Sequence, residues 1–206
     1  NFMLYISCMR HNIRDIKKLV KITPKTLNKK VTAPASKSMM QRAVALGLLS
    51  QGKTSIYNPS FAADSLSSLR IAGSLGATLQ FTFNKIALER NDDVTETILN
   101  FGESGLAIRL FTPIAGLYER TYTIDGKGSL LNRPMESLAE AVRQAGVSAT
   151  TNNGFLPIQM EGKLKGGRID IDGSLGSQVL TGLLTSLPMA ENDSEIHIKN
   201  LKSIPY

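Results

Sequence analysis

Three short stretches of this chain place hydroxyl, amide or cationic side chains where a β-strand hands over to a helix. The first holds Ser36, Lys37, Ser38 and Arg42. The second holds Glu103, Ser104, Gly105 and Arg109, and the third Ser174, Gly176, Ser177 and Gln178. The helices that follow are otherwise apolar almost all round, as buried helices are. A helix N-terminus offers unpaired N–H groups and the positive end of the peptide dipole, which favours anions. Ser38 and Arg42 stand at i and i+4, on one helical face, where a hydroxyl and a guanidinium can share a carboxylate or a phosphate. Taken alone, Ser38 reads equally as an N-cap and Arg42 as a solvated charge. The set of Lys37, Ser38 and Arg42 beside two sister junctions points instead to an anionic ligand.

These junctions recur because the chain repeats itself. Ser38, Ser104 and Ser177 are matching points about 70 residues apart, longer than an ordinary solenoid repeat. In the first unit, Val31–Ala35 reads as a strand and 36–49 as a helix with Met39, Met40, Ala43, Leu46 and Leu49 apolar. A strand over 54–60 follows, then a helix over 61–76 with Leu66, Leu69 and Ile71 inward. A hairpin over 77–90 closes the unit. The second unit runs strand 97–102, helix 104–118, strand 120–126, then a helix with Pro134 at its first position. A hairpin turns at Asn152-Asn153-Gly154. The third has strand 167–174, helix 177–189 and strand 194–200, and reaches Tyr206 where a second helix is due. Each unit is βαβαββ. The expected fold class is α/β: a pseudo-threefold domain, its third unit incomplete, with three helix N-termini converging on one mouth.

The 206 residues are 42% hydrophobic and 20% charged, a globular balance, and no apolar run reaches the length of a membrane span. The net charge of +7 suits nucleic acid, an anionic surface or small anions. Its cations are scattered without a polybasic run and with no Trp, which favours local anion sites over nucleic acid. A single cysteine, Cys8, allows no internal disulfide and fits a reducing, cytoplasmic setting. The apolar stretch Phe2–Met9 precedes its basic residues, the reverse of a secretory signal. Residues 1–18 are expected to be an extension, mobile in isolation. Residues 19–206 form the domain, with units at about 30–90, 91–163 and 166–206.

With the repeat in hand, the motifs resemble one family. Ser36-Lys37-Ser38-Met39-Met40-Gln41-Arg42-Ala43 is similar to the S-K-S-x-x-x-R-A signature of EPSP synthases, the 3-phosphoshikimate 1-carboxyvinyltransferases. The run Gly102 to Arg109 is similar to their G-N-[AS]-G-T-x-x-R, and Arg133-Pro134 to their R-P step. The run Asp172 to Gln178 resembles D-G-S-x-S-S-Q, and Ser203-Ile204-Pro205-Tyr206 resembles S-x-P-Y. The likeness extends from about Leu19 to Tyr206. It implies the inside-out α/β barrel of enolpyruvyl transferases and transfer of enolpyruvyl from phosphoenolpyruvate to shikimate 3-phosphate, without metal or organic cofactor. By that resemblance Lys37, Arg133, Gln178 and the backbone N–H of Gly105 hold phosphoenolpyruvate. Ser38 and Arg42 take the shikimate carboxylate. Ser177 and Ser203 take its 3-phosphate, with Lys37 and Gln178 shared and Tyr206 lining the pocket. Lys37 would also protonate or polarise the enol. The family's second domain, which supplies an Asp, a Glu and two Arg, is not represented, so these residues alone are expected to be inactive.

Three departures stand out. Leu106 replaces the usual Thr, Glu103 the usual Asn, and Gly176 the first Ser of S-S-Q. Gly47–Thr54 fits a P-loop pattern, but it follows a helix and enters a strand, the reverse of a P-loop. His11 and His197 make no metal site with one distant cysteine. Two rival readings are a UDP-N-acetylglucosamine enolpyruvyl transferase and a non-enzymatic anion- or RNA-binding domain. The first of these typically has Lys-Asn in place of Lys37-Ser38.

Overall fold

A computed structural model describes residues 3–6, 18–21, 26, 28, 30–91 and 93–202. The chain divides into two units, Asn1–Ala33 and Pro34–Tyr206. In the first unit, β1 (Met3–Ile6) pairs antiparallel with β2 (Lys18–Lys21), Met3 opposite Lys21 and Ile6 opposite Lys18.

The second unit carries the repeat. Its first part holds α1 (Lys37–Leu49), β3 (Lys53–Tyr57), α2 (Ala63–Ser74), β4 (Ala77–Thr82) and β5 (Lys85–Arg90). The next holds β6 (Ile98–Asn100), α3 (Gly105–Ala115), β7 (Arg120–Asp125), α4 (Glu136–Gln144), β8 (Ser148–Asn152) and β9 (Phe155–Gly162). The last holds β10 (Gly167–Asp172), α5 (Gln178–Ser186) and β11 (Ser194–Lys199). The three strands of one sheet lie in the order β3-β5-β4, and another sheet runs β6-β7-β9-β8. The order β7-β9-β8 thus reproduces β3-β5-β4 one repeat later. Both β6–β7 and β10–β11 are parallel pairs joined through a helix, as a crossover connection requires. The β8–β9 hairpin turns through Asn153 (φ 50°) and Gly154 (φ 86°), the left-handed pair that Asn-Gly supplies without strain.

Two expectations need correction. Residues 31–36 form no strand and are mostly exposed, so the first repeat lacks a described counterpart of β6. The helix α4 begins at Glu136 with Met135 as its cap, two residues after Pro134.

Most of the core is built around α3. Every residue of that helix is buried except Leu106 and Arg109, which are half-buried. It packs against α1, α2 and α5. Phe101, Phe111 and Tyr122 are among the largest fully buried side chains around it. Pro113 has no N–H, so the carbonyl of Arg109, four residues back, loses its helical donor. Gly182 of α5 lies against that carbonyl: a Cβ at Gly182 would sit 2.1 Å from the Arg109 oxygen. This tight α3–α5 crossing therefore falls on Arg109, whose side chain lines a cleft.

Candidate active site

The three junctions begin with serines in the cap position, at Ser36, Ser104 and Ser177. Ser36 Oγ accepts from the Met39 N–H at 3.3 Å and Ser104 Oγ from the Ala107 N–H at 3.2 Å. Each thereby satisfies one orphan donor of its helix. Ser38 is thus not the cap of α1 but its second residue, half-buried. Ser177 stands in the cap position of α5 without capping it by its side chain.

An arginine one turn into each of the first two helices folds back on the same helix. Arg42 Nη1 donates to the Ser38 carbonyl at 3.1 Å, and Arg109 Nη1 to the Gly105 carbonyl at 2.9 Å. Ser38 and Arg42 do share a face, as their spacing requires. Arg109 Nη2 also reaches the Pro134 carbonyl at 3.4 Å.

Gly105 is where the site draws together. A Cβ there would lie 2.5 Å from Arg133 Nη1 and 3.3 Å from Arg109 Nη1. Both guanidinium groups therefore stand over the first residue of α3, and neither is ion-paired to a carboxylate among the described residues. Burial, and then the charge of Arg133, hold the Arg109 guanidinium below its ordinary pKa. Two cations beside a helix N-terminus repel each other, and an anion between them relieves that repulsion. A cleft of about 430 Å³ opens here, lined by Arg109, Arg133 and Gln178 and also by the carboxylate residues Glu140, Asp170 and Asp172. Gln178 is the first residue of α5, so the junctions of the second and third repeats border one space.

The first junction is arranged differently. Lys37 Nζ lies 2.6 Å from Asp64 Oδ2 in the first turn of α2. Lys37, Ser38 and Arg42 do not line the cleft beside Gln178. They are linked to the second junction through Gln41, which is fully buried: Ser104 Oγ donates to Gln41 Oε1 at 3.4 Å. Gln41 Nε2 has no partner among the described residues. Ser203 and Tyr206 lie outside the described residues.

Two contributors, Asp64 and Gln41, escaped the sequence, and Glu103 stood at the second junction without an assigned role. Asp64 pairs with a lysine 27 positions away, which no local pattern reveals. Gln41 carried a usable signal, an amide in the middle of an apolar helix. Glu103 reads locally as a departure, yet its carboxylate accepts from Ser129 N–H at 3.0 Å and from Ser129 Oγ–H at 2.8 Å. Those bonds, the N–H first, hold its pKa below the ordinary carboxylate value, with a smaller contribution from Arg133.

The family model for EPSP synthase (3-phosphoshikimate 1-carboxyvinyltransferase) matches residues 22–206. A 3-phosphoshikimate 1-carboxyvinyltransferase of Methanococcus maripaludis strain C6 is 37% identical over 194 residues, 91% of this chain and 45% of the relative. The protein of that name from Acetivibrio thermocellus is 33% identical over 193 residues, with the same coverage of each chain. This chain thus spans about half the length of the curated relatives it matches. The solved EPSP synthase of Acinetobacter baumannii superposes with a TM-score of 0.70 at 23% identity, over 82% of this chain and 40% of that one. The mixed α/β architecture is therefore the EPSP synthase fold, that of an inside-out α/β barrel domain. With a family match over residues 22–206 and curated relatives of one name across nine-tenths of its length, this chain belongs to the EPSP synthase family.

Proposed function

We propose that these residues form the N-terminal half of an active site that transfers enolpyruvyl from phosphoenolpyruvate to shikimate 3-phosphate. The observation that carries the reading is the pair of guanidinium groups, Arg109 and Arg133, over Gly105 at the start of α3 with no carboxylate ion-paired to either among the described residues, and Gln178 on the cleft that both line. Phosphoenolpyruvate brings a phosphate and a carboxylate, and such a site meets them with charge-assisted hydrogen bonds. Arg133, Gln178, Lys37 and the Gly105 N–H hold phosphoenolpyruvate. Ser38 and Arg42 face the shikimate carboxylate, and Ser177 and Ser203 the 3-phosphate, with Tyr206 lining that pocket.

The chemistry is addition followed by elimination. A shikimate hydroxyl adds to C2 of phosphoenolpyruvate as C3 takes a proton. Phosphate then leaves C2 as C3 returns a proton, so no oxidant or cofactor is consumed. Lys37 acts on the enol in the addition and exchanges its Asp64 partner for the ligand. The length that relatives have beyond this chain supplies the facing wall, the remaining proton-transfer groups and the closure that excludes water. A cytoplasmic setting goes with this reading. The UDP-N-acetylglucosamine alternative is not favoured, because the curated relatives share the name 3-phosphoshikimate 1-carboxyvinyltransferase.

The test is an amide and guanidinium shift map of the 206-residue chain. Shikimate 3-phosphate with phosphoenolpyruvate should move the signals of Gly105, Arg109, Arg133 and Gln178, and UDP-N-acetylglucosamine should not. Movement by the sugar nucleotide alone would reverse the assignment.

A further inference from the structure

A guanidinium that must stand over Gly105 needs its backbone held, and Arg133 closes an exposed loop. It follows directly on a 3-10 turn, Gly128–Asn132, as that turn's C-cap. The Lys127 N–H, at the start of the loop, donates to the Gly102 carbonyl of the α3 junction at 2.7 Å, and within the loop the Arg133 N–H donates to the Leu130 carbonyl at 3.1 Å. Two further attachments to the α3 junction lie among the described residues: Arg109 Nη2 donates to the Pro134 carbonyl at 3.4 Å, and Ser129 is bonded to Glu103. Its carboxylate takes both donors of Ser129, and it packs so close to Gly128 that a Cβ there would lie 2.6 Å from the carboxyl carbon. Gly128 has φ +54°, which a side chain would strain as well.

Glu103 and Gly105 are two residues apart, on either side of the Ser104 cap. One side clasps the loop at Ser129, and the other receives Arg133. We infer that Glu103 is a positioning residue that fixes the 128–133 loop and thereby sets the Arg133 guanidinium over Gly105. This rests on the proposed phosphoenolpyruvate site and deepens it. The carboxylate does two opposed things. It braces the loop, and it places a negative charge near an anion site. Both Ser129 donors fall on one carboxylate oxygen, Oε2, and on this proposal the bracing outweighs the repulsion. Net binding therefore gains from the carboxylate.

Two readouts separate this claim from the function it rests on. The first needs no ligand: amide hydrogen exchange over 128–133 and ¹⁵N relaxation of the Arg133 guanidinium, in wild type, Glu103→Gln and Glu103→Ala. Glu103→Ala should speed exchange at Ser129 and loosen Arg133, and Glu103→Gln, which keeps an acceptor oxygen, should restore part of the order. Unchanged exchange and relaxation in Glu103→Ala would overturn the positioning role. The second is titration with phosphoenolpyruvate in the presence of shikimate 3-phosphate. Glu103→Ala should weaken binding by roughly three- to tenfold, the worth of one ordinary hydrogen bond, because the lost contacts act on the site only through Arg133. Affinity for shikimate 3-phosphate alone should stay within about twofold of wild type, a smaller change than one such bond. Tighter phosphoenolpyruvate binding in Glu103→Ala would mean that repulsion dominates and would overturn the inference. A wild-type chain that binds neither ligand while exchange still responds to Glu103→Ala would sink the proposed function and leave the bracing established.

Discussion

Gly105 can carry no side chain while Arg133 keeps its place. The atoms that a Cβ would meet are the ends of two arginine side chains, 2.5 Å and 3.3 Å away, not backbone. Gly105→Ala should therefore fold, with a melting midpoint equal to or above wild type, since Ala is the better helix former by up to ~1 kcal/mol. The displaced cation is the cost. Loss of a charge-assisted contact is worth ~1.5–3 kcal/mol, or roughly tenfold to more than a hundredfold in affinity. Both Gly105→Ala and Arg133→Ala should weaken phosphoenolpyruvate binding on that scale and leave shikimate 3-phosphate, titrated alone, nearly unchanged. Calorimetry on the two variants checks this, and equal losses for both ligands would mean that the cleft is misassigned. At this scale Ser38 with Arg42 was legible, because i and i+4 share a helical face wherever the helix goes. The pairing of Lys37 with Asp64 was not, because it depends on how α1 and α2 meet.

The helix crossing of α3 and α5 sets where Arg109 and Gln178 stand relative to each other. Pro113 bares the Arg109 carbonyl, and Gly182 fills the space against it. Gly182→Ala would place a methyl 2.1 Å from a backbone oxygen that cannot swing aside. Overpacking of that kind costs ~1–3 kcal/mol, against which the gain in helix propensity is smaller. Gly47→Ala is the control, because the nearest atoms its Cβ would meet belong to the Thr54 and Leu88 side chains, at 3.3–3.5 Å. Urea unfolding should show a clear loss of midpoint for Gly182→Ala and a change within about 1 kcal/mol for Gly47→Ala. Similar midpoints would mean that the crossing relaxes freely. The element pattern itself was readable from period and punctuation: apolar helical spacing in α1 and α3, and Asn153-Gly154 in the hairpin. The segment 31–35 misled because Val31 and Thr32 favour strands, whereas a strand forms only where a neighbour takes its N–H and C=O groups. No described strand pairs with those residues.

Over the whole molecule, a surplus of seven positive charges comes from cations scattered along the sequence without a polybasic run. A polyanion binder and a small-anion binder with the same net charge differ in salt dependence. A protein that contacts many phosphates loses affinity steeply as counterions are retained, whereas a single small dianion in a fitted site releases few. The family and its fold were legible from motifs in order on a repeating frame. What the relatives carry beyond the matched length was not, since this chain spans 45% of the curated relative. The most direct measurement is calorimetric titration of the 206-residue protein with shikimate 3-phosphate, repeated with a short single-stranded RNA, each at low and moderate salt. Saturable binding of one shikimate 3-phosphate per chain, with a shallow salt slope and weak, steeply salt-dependent RNA binding, is the predicted result. RNA binding that saturates at moderate salt, with no detectable heat from shikimate 3-phosphate, would contradict the account.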